Sequence, residues 1–200
     1  MDGSSFRWIN RLADRTGWAH GIFKANASYG VVLFALLLLV AYLDGRQHGD
    51  LRALSASVWA GAATLIALGL GQVIGNAVAR PRPYVTMPGV HLLVDRTSDF
   101  SFPSDHATAV GAVAAGLLIA NRRWGLIASV LALVMAFTRV YVGAHYPGDV
   151  VAGLALGAIV AGGSGFFVVP VLARAASWMS TTRLRVLVAG PPRSAPSPGC

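Results

Sequence analysis

His145 and Asp149 stand four residues apart with Pro147 and Gly148 between them, and a loop of that composition can fold the carboxylate onto the imidazole. A carboxylate so placed holds one ring nitrogen as N–H and leaves the other free as a nucleophile or base. Asp149 can also cap the helix that follows, and the two roles are compatible. Arg139 lies just upstream, at the end of an apolar run. A guanidinium inside a membrane is costly enough to mark a functional site by default.

Two earlier blocks carry similar chemistry. In Ser101-Phe102-Pro103-Ser104-Asp105-His106-Ala107, proline at a helix opening and Ser or Asp as N-cap are ordinary, but capping does not explain His106. A helix N-terminus with Ser104 and free backbone N–H groups is an anion site, and a histidine in its first turn can give a proton to whatever leaves that anion. Arg80-Pro81-Arg82-Pro83 ends a helix. Its guanidiniums match phosphate oxygens two at a time and never lose their charge, although snorkelling arginines would produce the same pattern.

Taken together, the blocks describe in-line phosphoryl transfer in which arginines hold non-bridging oxygens, one histidine attacks phosphorus and another protonates the departing oxygen. The chain has no Glu and no cluster of Asp, which argues against two-metal hydrolysis. Two histidines without cysteine or a third ligand do not close a zinc site. No metal and no cofactor is expected.

The elements that must position these groups are membrane helices. Of 200 residues 55% are hydrophobic and 12% charged, against about 25% charged in soluble domains. The single cysteine, Cys200, excludes a disulfide scaffold. Net charge is +8, but the basic residues gather beside apolar runs, where they set topology and meet lipid headgroups, and no motif supports nucleic-acid binding. Uncharged stretches at Ala25–Leu43, Ala53–Ala79, Ala107–Asn121, Trp124–Thr138 and Val150–Ala173 each read as a crossing. The fold class is therefore all-α, an integral membrane bundle of five or six spanning helices.

Three regions are expected: an interfacial amphipathic helix at 1–24, the bundle at 25–176, and a basic, Pro-rich, disordered tail at 177–200. The first rests on Phe6, Ile9, Trp18, Ile22 and Phe23 alternating with Arg7, Arg11, Arg15 and Lys24. The last rests on Pro191, Pro192, Pro196 and Pro198. Counting crossings brings Arg82, His106, Arg139, His145 and Asp149 to one membrane face. The other carries Arg46, Arg52, Arg122, Arg123, Arg174, Arg183, Arg185 and Arg193 and is the better cytoplasmic candidate. The convergent end is then expected on the outer face of the cell membrane.

In order and spacing, Arg82-Pro83, Pro103-Ser104-Asp105-His106 and Thr138-Arg139-x5-His145-x3-Asp149 resemble the motifs of the type 2 phosphatidic acid phosphatases, relatives of the vanadium haloperoxidases. The resemblance spans Gly75 to Asp149 and departs at two positions: the family lysine falls on Gly75, and a serine is replaced by Thr138. Phe-Pro-Ser-Asp-His-Ala looks like the variant in bacitracin-resistance-type undecaprenyl-diphosphate phosphatases, which recycle an isoprenoid carrier of cell-wall synthesis. The resemblance implies His145 as a nucleophile that becomes phosphohistidine, Asp149 as its orienting partner and His106 as general acid. It implies Arg82, Ser104 and Arg139 as phosphate ligands, helped by the Asp105 backbone amide, with Arg80 a candidate replacement for the missing lysine. The Asp105 carboxylate has two readings: it meets a diphosphate through a bridging cation or water, or it raises the pKa of His106.

The expected substrate is thus a lipid phosphate or diphosphate in the bilayer, first an isoprenyl diphosphate and second a phosphatidate- or phosphatidylglycerophosphate-type lipid. A reading of another class, a transporter or antibiotic-exporter subunit, would need polar residues distributed through the depth of the bundle. Helices two, four and five are instead apolar through the middle. The sequence leaves the oligomeric state open.

Overall fold

The computed structural model describes residues 2–188, and its regular elements are helices. Helix α1 (Asp2–Arg15) leads through a short 3-10 turn, Gly17–Ala19, into α2 (His20–His48). Gly49, at φ 69°, closes α2, and the Asp50 side chain accepts from Ala53 N to open α3 (Leu51–Val78). Left-handed positions at a helix end suit glycine, and the aspartate supplies an acceptor that the first turn lacks. Ala79 ends α3 before Arg80-Pro81, and a single turn, α4 (Pro83–Thr86), begins the loop that runs to Ser104.

Ser104 caps α5 (Asp105–Ala120), and Asn121 both ends it and caps α6 (Arg122–Tyr141) by accepting from Arg123 N. Asp149 accepts from Tyr146 N at the start of α7 (Pro147–Ala158), which continues through one π-type turn, Ile159–Gly163, into α8 (Ser164–Ser180). Four helical stretches, Gly17–His48, Leu51–Thr86, Arg122–Tyr141 and Pro147–Ser180, are long and apolar enough to cross a membrane. The fifth crossing, α5, has only 16 residues and spans about 24 Å. Each of the five uncharged stretches falls on one of these helices, so the chain is an all-α membrane bundle.

α5 sits at the centre, packed on α3, α6 and α7, with every residue from Ala107 to Ala114 buried. A helix enclosed on all sides cannot carry large residues everywhere, and in lipid close backbone approach supplies much of the packing. Gly153 of α7 lies against the start of α5, where an added Cβ would come within 2.6 Å of the Ser104 carbonyl oxygen. Gly153→Ala is therefore expected to cost about 1–3 kcal/mol. It should also disturb the hydrogen bond from Ser104 N to the Asp149 carbonyl. Thermal unfolding in detergent, read beside phosphate release, checks both effects.

Both ends of the described chain pack on the bundle. α1 buries Phe6, Asn10 and Ala13 against protein and leaves Trp8 exposed, so its inner face belongs to the bundle. It stops at Arg15, and residues 20–24 already belong to α2. At the other end, residues 177–180 complete α8, and a last turn, α9 (Arg185–Val188), folds back on the bundle. Val188 packs with Leu54 and Ala176, and Tyr42 Oη donates to the Leu187 carbonyl. The order arises because Leu184, Leu187 and Val188 supply apolar surface, while the four prolines come later, outside the described residues.

Candidate active site

The convergence expected from counting crossings is present: the end of α3, the start of α5, the end of α6 and the start of α7 meet at one end of the bundle. His145 lies in the loop between α6 and α7 and is buried. Its Nδ1 is 2.7 Å from the Ser101 carbonyl oxygen. A carbonyl only accepts, so Nδ1 carries the proton and Nε2 keeps its lone pair. That lone pair faces Arg82, whose Nη1 donates to Nε2 at 3.2 Å.

The expected hydrogen bond from His145 to Asp149 is replaced by an indirect one. The nearest carboxylate oxygen of Asp149 is 3.9 Å from Nδ1, too far to accept. Fully buried Asp149 instead accepts from Ser101 Oγ at 2.5 Å, from Tyr146 N at 2.9 Å and from Arg80 Nη1 at 2.7 Å. The carboxylate holds Ser101 by its hydroxyl, and Ser101 holds the imidazole by its carbonyl.

Arg82 is almost fully buried and committed at every nitrogen. Nε and Nη2 donate to the backbone oxygen and Oδ2 of Asp99 at 3.2 and 2.8 Å, and Nη1 also donates to the Ala144 carbonyl. Burial works to raise the Asp99 pKa, but hydrogen bonds from Thr97 and Arg82 and the charge of Arg82 outweigh it and leave the carboxyl below its usual value. Arg139 is only 7% exposed, donates through Nη1 to the Ala27 carbonyl at 3.3 Å, and its buried Nε finds no partner among the described residues. An unpaired guanidinium N–H in a buried site is a donor awaiting an acceptor. Arg82, Arg139 and His106 line one cavity of about 240 Å³ together with Ala144 and Tyr84.

Three sequence candidates stand elsewhere. Arg80 does not reach the cavity: its Nη1 is held by Asp149 and its Nη2 by Asp2 at 2.6 Å, and its guanidinium lies 4.0 Å over the Tyr146 ring. In this arrangement its guanidinium pairs with two carboxylates and does not line the cavity of Arg82 and Arg139. The Asp105 carboxylate turns to Gln72, which donates to both its oxygens at 3.1 and 2.9 Å, and lines a second cavity beside Gly75. Ser104 is buried at the helix start, its Oγ turned to Ala107 N at a long 3.5 Å.

Ser101, Asp99 and Asp2 are the residues that sequence reasoning missed. Asp2 accepts from Arg80 and from Gly148 N at 2.9 Å, so α1 is tied to the loop that follows His145. Ser101 acts through its carbonyl as well as its hydroxyl, and a carbonyl is common to all residues. Its place three residues before Ser104 was the only available signal.

Burial, then the charges of Arg139 and Arg82, push the His145 pKa well below its ordinary value, against the Ser101 hydrogen bond. Two consequences follow from the sign. The imidazole stays neutral as pH falls through about 6.5, so protonation of His145 does not switch the site off there. The unfolded chain does take up that proton, so the His145 contribution makes folding less favourable below about 6.5. In a His106→Asn variant assayed with a good leaving group, kcat/KM should stay level from about pH 7.5 to about 5.5. A midpoint near 6.5 in that variant would mean an ordinary, solvated His145.

Comparison with known proteins gives the same family along most of the chain. Residues 56–172 match the PAP2 superfamily. Undecaprenyl-diphosphatase BcrC of Bacillus subtilis (strain 168) is 31% identical over 160 residues, 80% of each chain. Decaprenylphosphoryl-5-phosphoribose phosphatase of Mycobacterium tuberculosis (strain ATCC 25618 / H37Rv) is 42% identical over 102 residues, 50% of this chain and 55% of that one. Among solved structures, that of Aquifex aeolicus LpxE aligns with a TM-score of 0.54 at 26% identity, covering 79% of this chain and 90% of the other. Sequence match, relatives and shared fold together establish that the chain belongs to the PAP2 superfamily.

Proposed function

We propose that this membrane phosphatase hydrolyses the terminal phosphate of an isoprenyl diphosphate, releasing the lipid monophosphate and inorganic phosphate. His145 Nε2 attacks the terminal phosphorus in line, and the bond from that phosphorus to the bridging oxygen breaks. His106 gives its proton to the departing oxygen. Water then attacks the phosphohistidine, His106 takes the proton from that water, and the N–P bond electrons return to Nε2. Arg82 and Arg139 hold the non-bridging oxygens as charge redistributes, and the start of α5 at Ser104 supports them.

One observation carries this reading: a buried imidazole whose Nδ1 is held by the Ser101 carbonyl while Nε2 faces Arg82, in a site whose cavity Arg82 shares with Arg139 and His106. The choice of lipid is supported by the relative acting on undecaprenyl diphosphate, which aligns over most of both chains. With Arg80 outside the clamp, preference for diphosphate cannot come from three arginines spread over two phosphates. It must come from Arg82, Arg139 and the α5 N-terminus alone. We place the site on the outer membrane face, where the basic Arg122-Arg123 turn would lie inside.

Phosphate release by the purified protein from isoprenyl diphosphate, isoprenyl monophosphate, phosphatidate and phosphatidylglycerophosphate tests the substrate. The diphosphate is expected to turn over fastest and to do so undiminished in chelator. Equal turnover of phosphatidate would overturn the lipid assignment, and full loss on chelation would overturn the metal-free mechanism. For sidedness, Ser98→Cys in a Cys200→Ser background is expected to react with an impermeant maleimide in intact cells. Labelling only after permeabilisation would reverse the orientation.

A further inference from the structure

At the end of the bundle away from His145, α2, α3, α8 and α9 enclose an apolar cavity of about 280 Å³. Leu54, Val58, Leu172 and Met179 contribute to its wall. Two side chains with hydroxyls break this lining, and that of Tyr42 is held by the Leu187 carbonyl. Ser55 is 2% exposed, and its Oγ finds no hydrogen-bond partner among the described residues. A buried hydroxyl without a partner costs free energy, so a ligand that brings an acceptor here is favoured.

A second unpaired donor lies at the rim. Arg46 gives Nη2 to the Val186 carbonyl at 2.7 Å, while its buried Nε has no partner among the described residues. Arg52, Arg174, Arg183 and Arg185 are exposed near the helix ends at this side. The acids there are already engaged: Asp44 accepts from Trp124 Nε1 and pairs with His48, and Asp50 caps α3. The uncompensated charge is positive and sits above an apolar chamber.

We propose that this cavity binds one anionic glycerophospholipid of the adjoining leaflet, independently of the phosphatase site. An acyl chain fills the chamber, an ester carbonyl accepts from Ser55 Oγ, and the phosphate meets Arg46 Nε and the exposed arginines. The depth fits. Ser55 lies four residues into α3, about 6 Å below the helix start, which is where an ester carbonyl lies beneath its phosphate. An isoprenyl phosphate has a phosphate and a tail but no ester carbonyl, so it lacks the group that Ser55 requires.

The test uses the full chain, purified in detergent and titrated with phosphatidylglycerol, phosphatidylcholine, ether-linked phosphatidylglycerol and an isoprenyl monophosphate. Bound lipid is read by native mass spectrometry and by the shift in thermal unfolding. Wild type is expected to retain one phosphatidylglycerol and to bind it about tenfold more tightly than phosphatidylcholine. Ether-linked phosphatidylglycerol should bind about fivefold more weakly than the ester, and Ser55→Ala should erase that difference. Val58→Trp, at a half-exposed position on the cavity wall, and Arg46→Gln should each weaken binding about tenfold or more while phosphate release is unchanged.

Undiminished binding in Val58→Trp would overturn the site. An ester preference that survives Ser55→Ala would overturn the role of the hydroxyl. Isoprenyl monophosphate binding as tightly as phosphatidylglycerol would show a second substrate-type site in place of a phospholipid site. Binding seen only after the chain is cut behind Val188 would assign the cavity to the protein's own terminal segment.

Discussion

His145→Ala protein should release phosphate about four orders of magnitude more slowly than wild type, or below detection. In the proposed mechanism the side chain supplies the attacking atom. His106 is assigned there as the general acid of the same step, the guanidiniums of Arg82 and Arg139 carry no nucleophilic lone pair, and the Ser28, Tyr84 and Thr97 hydroxyls of the cavity lining are far weaker nucleophiles at neutral pH. Loss of rate alone would not distinguish a missing nucleophile from a collapsed site, so a second readout is needed. Wild type quenched in base during turnover of labelled substrate should carry label that is stable to base and lost in acid, as a phosphoramidate is. His145→Ala should carry none while still eluting as a folded species in detergent. Labelled His145→Ala protein, or wild-type turnover from it, would rule out His145 as the site of phosphoryl transfer.

Arg82→Ala should lower kcat by about a hundred- to a thousandfold. Arg82 is the guanidinium whose Nη1 faces Nε2 of His145, where the proposed mechanism gathers the phosphoryl oxygens as the N–P bond forms. Vanadate assumes the trigonal-bipyramidal shape of that transition state, so it should inhibit wild type strongly and Arg82→Ala weakly. Arg82→Lys should recover only part of the loss, because an ammonium cannot hold Asp99 with two nitrogens and reach the phosphoryl group with a third. A KM effect with unchanged kcat would recast Arg82 as a residue that only binds substrate.

The helices and the convergent end were legible because lipid imposes a severe rule: a crossing must be long, apolar and internally hydrogen-bonded, and the five uncharged stretches have no other reading. His106, Arg139 and His145 were legible for the converse reason, being polar groups placed where polarity is expensive. Asp149 was legible as a partner of His145 but not in how it acts. The spacing of four residues suggested direct contact, whereas Ser101 is interposed, and a backbone carbonyl leaves no trace in sequence. Arg80 is ambiguous in sequence because an arginine beside a motif looks the same whether it faces phosphate or ion-pairs behind it. One of its two carboxylate partners, Asp2, lies 78 residues away, a pairing set by tertiary packing alone.

The short central helix has a consequence for the water that the enzyme needs. At about 24 Å, α5 falls short of a hydrocarbon core near 30 Å, while the longer helices that enclose it reach across. Lipid does not meet the end of α5, so the shortfall is a depression inside the bundle through which water can descend toward Ser104 and His106. Hydrolytic water then reaches the site without crossing oil, and the departing phosphate leaves by the same depression. The enclosing helices set its depth, so in vesicles of increasing acyl length turnover should stay nearly level, with the wet path carried by the protein and not by the bilayer.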